Sequence, residues 1–143
     1  AADGMRQSQK LMLTWLIEEP GLFASVEPFL APEDFTEELY RKVAEAVFCQ
    51  CREGRIRPAK VIDLFSDEKE QQEVASLFHA QLKEITTEAE KAKALKETII
   101  RIKENSMNSR SKRLEPTDLD GLQKLVADKK SLQRLYQMEF WAK

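Results

Sequence analysis

Apolar residues recur at three- and four-residue intervals along most of this chain, the spacing that collects them on one side of an α-helix. In "RQSQKLMLTWLIEEPG" these positions are Leu11, Trp15 and Leu16, and the pattern ends where Pro20 disfavours a helical residue before it. Pro20 in turn suits the first turn of a second helix, "PGLFASVEPFL", in which Leu22, Phe23, Val26 and Phe29 are apolar. The clearest periodicity lies in "APEDFTEELYRKVAEAVFCQCREG", through Leu39, Tyr40, Val43, Ala46 and Val47. Thr36, with Glu37 and Glu38 behind it, is placed as an N-cap, and Gly54 stands where a left-handed C-cap belongs. Two shorter helices follow, "RPAKVIDLFS" opened by Pro58 and "DEKEQQEVASLFHAQL" capped by Asp67. The five predict one core of Trp15, Leu16, Phe23, Val26, Phe35, Val43, Val47, Leu64, Leu77 and Phe78.

From Thr87 the pattern changes. "TEAEKAKALKETIIRIKENSMNSRSKRLE" holds neither Gly nor Pro, and Ala92, Leu95, Ile99 and Ile102 recur at helical spacing. A helix of about 27 residues would be about 40 Å long, more than a small bundle covers, so it is expected to protrude. Beyond Met107 its apolar stripe thins, and the far half needs another support. "TDLDGLQKLVADKKSLQRLYQMEFWAK", capped by Asp118 or Thr117, supplies it by returning after the turn "EPTD" as an antiparallel neighbour. On this last helix Leu119, Leu122, Leu125, Val126, Leu132, Tyr136 and Phe140 form one broad stripe expected to face the long helix. Met138 falls nearly opposite, and Leu135 and Trp141 lie off the centre. The predicted fold is therefore all-α: a small helical bundle over 5–98, joined through a long helix to an antiparallel helical hairpin over 99–143.

Composition agrees with helices, since the 143 residues include only four Gly and five Pro. No apolar run approaches the ~20 residues that cross a bilayer, and the chain opens without the basic and apolar segments of a secretory signal, so a soluble, cytoplasmic protein is expected. With 23 Lys+Arg against 25 Asp+Glu, bulk nucleic-acid binding is not the default. The run "RSKR", Arg110 to Arg113, is expected to be a solvated flank, with phosphate contact as the alternative. A nucleic-acid-binding module would act through Arg101, Arg110, Lys112 and Arg113. Cys49 and Cys51, two apart on a helix, point about 200° from each other and are expected to be reduced, half-buried thiols.

Catalysis has little to stand on. There is no Gly-rich phosphate loop, the single histidine, His79, cannot build a His cluster, and the carboxylates sit at helix-surface spacing where solvation explains them. No catalytic residue, metal or cofactor is assigned. The concentration of Leu132, Leu135, Tyr136, Met138, Phe140 and Trp141 near the end asks for cover. Either this stretch folds back on the bundle or pairs in a homodimer, or it forms a docking surface of the kind rich in Trp, Tyr and Met.

One resemblance favours docking. "QKLMLTWLIEEPGLFASVEPFLAPEDFTEELYRKVAEAVFCQCREGRI" resembles the helical module shared by the C-terminal domain of bacterial DnaG-type primases and the N-terminal domain of the replicative helicase they bind. The closing "LDGLQKLVADKKSLQRL" is similar to the end of Gram-positive-type primases, which favours the primase over the helicase. That resemblance implies a helicase-binding domain excised from a primase, without polymerase chemistry, monomeric when isolated and with no direct DNA contact. Its implied partner is the N-terminal domain of the DnaB-type hexameric helicase. Leu132, Leu135, Tyr136, Met138, Phe140 and Trp141 are then expected to form the apolar anchor, with Glu139 and Lys143 as rim charges.

Overall fold

The computed structural model describes residues 2–79 and 88–137, with side chains over 4–78 and 89–137. Met138, Glu139, Phe140, Trp141 and Lys143, and the side chain of His79, lie outside the described residues. The described chain is all-helical: α1 (Ala2–Glu18), α2 (Phe23–Val26), α3 (Glu38–Glu53), α4 (Pro58–Ile62), α5 (Glu68–His79), α6 (Glu88–Arg113) and α7 (Leu119–Gln137), with 3-10 turns at Pro20–Leu22 and Pro32–Asp34.

The element ends follow local chemistry. Gly54 closes α3 at φ +82°, and the Arg55 N–H donates back to the Gln50 carbonyl at 3.1 Å, a Schellman closure. Asp67 accepts the Glu70 N–H at 3.0 Å and Asp118 accepts the Gly121 N–H at 2.9 Å, so both predicted caps form. Thr36 does not cap α3. Its hydroxyl accepts Gln9 Nε2 at 2.9 Å and Asn105 Nδ2 at 3.1 Å, which ties the loop before α3 to α1 and α6. The second predicted helix is short because Pro28 brings no N–H to continue it.

At the centre lies α1, packed against α3, α5 and α6. Neighbours on three sides explain why Met12, Leu13, Trp15 and Leu16 are all buried, more than one stripe would need. Phe48 closes the core from α3, edge-on to both Phe23 and Phe35. Leu64, expected in this core, is 58% exposed; Val61 on α4 and Phe65 in the turn that follows Ile62 point inward instead.

Two expectations about the second half are corrected. The long helix α6 lies along the bundle rather than protruding, with Ala92, Leu95, Ile99, Ile100 and Ile102 buried and Lys91 paired with Glu19 at the end of α1. It is one uninterrupted helix through positions 98 and 99. The packing side of α7 is also not the most apolar one. It runs through Gly121, Leu125, Asp128, Leu132 and Leu135, whereas Leu119, Leu122, Val126 and Tyr136 are 68%, 40%, 54% and 54% exposed. The α6–α7 contacts run in opposite directions: Tyr136 meets Lys96 and Glu104, and Asp128 meets Lys103 and Arg110.

Candidate functional site

Two features stand out, a buried ionic cluster and the apolar surface it leaves exposed. The cluster begins with "APED". Pro32 opens a 3-10 turn, and the Asp34 side chain turns back to accept the Ala31 N–H at 2.9 Å, which fixes its carboxylate inward. There it accepts Lys103 Nζ at 2.9 Å and Ser106 Oγ at 2.7 Å, both from α6. Asp128 approaches from α7, with Oδ1 3.4 Å from Lys103 Nζ and Oδ2 2.6 Å from Arg110 Nη2, the latter close but off-line for a hydrogen bond. Arg110 Nη2 also lies 3.7 Å from Asp34, and Lys124 reaches Asp128 at 3.1 Å from the rim.

Asp34 and Lys103 are 1% and 6% exposed at their side chains, so pairing offsets a desolvation cost that neither charge could bear alone. Burial raises the Asp128 carboxyl, but Arg110, Lys103 and Lys124 outweigh it and hold the group below the usual carboxylate range. Both acids are engaged by cations and donors from neighbouring elements. Two expectations change here: Arg110 is a member of this cluster, not a solvated flank, and Asp34 and Asp128 are buried rather than solvated.

The cluster decides which side of α7 faces inward, and so which apolar groups remain outside. Leu119, Leu122 and Val126 form an exposed row along α7. Beside Val126 a groove of about 630 Å³ runs between α6 and α7, lined by Met107, Leu125, Val126, Leu132, Lys129 and Tyr136 among others. Tyr136 donates to Glu104 at 3.0 Å, a bond that raises the phenol's pKa and holds its ring at the groove.

Of the residues expected to anchor a partner, Leu132 and Leu135 are buried in the α6–α7 packing, and Leu132 also lines the groove. Tyr136 is exposed at the groove. Leu119, Leu122 and Val126, expected inside the hairpin for their apolarity, are the accessible ones instead. The missed signal is the charged residue at the middle of the inner face: Asp128 sits four and three residues from Leu132 and Leu125.

Among the described residues no helix is long and apolar enough to cross a membrane, and no three His, Cys, Asp or Glu side chains gather as a metal site. No protein-family model, curated protein or solved structure matches this chain.

Proposed function

We propose that this chain is the helicase-binding domain of a bacterial DnaG-type primase, a non-catalytic interaction domain that docks on the N-terminal domains of the hexameric replicative helicase. The observation that supports docking is the apolar row Leu119, Leu122 and Val126 beside the α6–α7 groove. Contiguous exposed apolar surface on a packed helix marks protein contacts, and a groove of this kind admits side chains of a partner helix. The identity of the partner rests on the sequence resemblance. Docking would keep primase beside newly unwound strand at a raised effective concentration, and would bias the helicase ring toward whichever conformation binds better.

The test is calorimetric titration of this chain into the cognate helicase N-terminal domain, with Leu122→Glu and Val126→Glu as variants. Both side chains are exposed, so the fold should survive, as circular dichroism will check. Saturable binding weakened about thirtyfold, on the order of 2 kcal/mol, is expected if these residues are central. A folded chain that does not bind, or variants that bind equally well, refutes the reading. Truncation before residue 132 would remove Leu132 and Leu135 from the packing and is the poorer experiment.

A further inference from the structure

The exposed charges of α7 are sorted along its axis. Glu115, Asp118 and Asp120 stand at or just before its start, and Lys129, Lys130 and Arg134 stand in its second half. All six are exposed, whereas Asp128, the one acid from Gly121 to Gln137, is buried in the cluster. A helix dipole favours cations only within the last turn, so it does not account for Lys129 and Lys130, about two turns before Gln137. Lys129, Lys130 and Arg134 have no ion-pair partner among the described residues.

Between the acidic and basic ends lies the row Leu119, Leu122 and Val126. Beside it is a shallow hollow of about 350 Å³ lined by Leu122, Gln123, Val126, Ala127 and Lys130. Gln123, Val126, Ala127 and Lys130 stand at i, i+3, i+4 and i+7, the four corners of the hole that receives one side chain of a facing helix in a coiled coil. One stretch of α7 therefore offers both apolar knobs and a hole, with acid at one end and base at the other. Such a surface is complementary to itself when a second copy lies end for end. Parallel copies would set like charges side by side, whereas antiparallel ones set acid against base and close on a two-fold axis.

We propose that α7 pairs antiparallel with α7 of a second copy of this chain, about a two-fold axis level with residue 124. Helical spacing then sets Leu122 opposite Val126 of the second copy, and Val126 opposite its Leu122. Leu119 lies level with Lys129 of the second copy, whose stem covers it while the ammonium reaches Asp118. The outer face of α7 is about 27 Å long and about 10 Å wide, far short of the roughly 800 Å² per partner of a stable complex. The pair is therefore transient, with Kd on the order of 0.1–1 mM. This pairing departs from the monomer that the primase resemblance implies, and it stands without the helicase reading. Where both hold, a second copy and the helicase compete for one row.

The experiment is sedimentation equilibrium of the full chain at low salt, from about 20 μM to about 1 mM, a range that brackets that Kd. The mass is expected to climb from one chain toward two and to stop there, and Val126→Glu should keep it at one. Two charge variants test the orientation. Lys129→Glu with Lys130→Glu makes both ends of α7 acidic; Asp118→Asn with Asp120→Lys keeps a competent cap and removes the acidic end. Each alone should associate about tenfold more weakly or worse. An equimolar mixture should recover the affinity, because each copy then meets opposite charge at both ends. All five positions are exposed, and circular dichroism checks that the variants are folded. A mass that stays at one chain up to the highest concentration, or grows past two without limit, overturns the proposal. So does association that Val126→Glu leaves intact, or a mixture that associates no better than its components.

Discussion

Replacing Asp34 by alanine should be among the most damaging single changes in this protein, although the residue lies in a 3-10 turn. Its carboxylate accepts the Ala31 N–H, Lys103 Nζ and Ser106 Oγ, all within 2.9 Å. Without it, Lys103 stays almost wholly buried with Asp128 at 3.4 Å as its remaining ion-pair partner. Removing one partner of a buried pair costs about 3–5 kcal/mol, because the other is left charged and poorly compensated. At about 2.1 cal/mol/K of unfolding entropy per residue, 143 residues convert 4 kcal/mol into a fall of about 13 °C in Tm. Urea and thermal unfolding followed by circular dichroism would measure it, with Trp15 fluorescence reporting the core. Asp34→Leu combined with Lys103→Met removes both charges and should recover about half of the loss or more. A single-variant cost below about 1 kcal/mol, or a double variant as damaged as its two singles added together, would show that the cluster does not hold the fold in this way.

The remaining predictions concern titration, thiol reactivity and one turn. Asp128 has its folded pKa below the unfolded value near 3.9, so its contribution is complete above that value and is lost as pH falls through the lower one. Urea unfolding should therefore show an acid limb below about pH 4 that Asp128→Asn flattens; equal slopes would contradict it. Burial pushes the Cys51 thiol up to about 11, whereas Cys49 is exposed. Iodoacetamide at pH 8 should alkylate Cys49 first by peptide mass spectrometry, and equal rates would mean that α3 is not packed as described. Gly54→Ala should cost about 1 kcal/mol, since only glycine accepts φ +82° without strain; a neutral result in chemical denaturation would place the strain elsewhere.

Periodicity made the helices legible because each of α1, α3 and α5 buries residues that are apolar as well as regularly spaced. Gly54, Asp67 and Asp118 marked ends of α3, α5 and α7 because their capping chemistry is local. What periodicity could not reveal was burial of charge. On α6, Ala92, Leu95 and Ile99 continue at the same spacing into Lys103, Ser106 and Arg110, so one face stays buried while its chemistry changes from apolar to ionic. Read by hydrophobicity the stripe ends; read by position it does not. The same substitution on α7 puts Asp128 on the inner face and leaves Leu119, Leu122 and Val126 outside. The partner charge, Asp34, lies 69 residues before Lys103, and only the folded chain pairs them.

Because α7 packs chiefly on α6, and α6 packs also on α1 and the Pro32–Asp34 turn, the molecule is built in series. Such a chain need not open all at once. α7 can leave while α1, α3 and α6 keep their mutual packing, whereas the reverse order would strip α7 of its chief support among the described residues. Amide hydrogen exchange would then fall into two tiers, α7 exchanging through a low-energy partial opening and α1 only through global unfolding. Each such opening would uncover Leu132 and Leu135, giving the protein a transiently larger apolar surface than its resting structure displays.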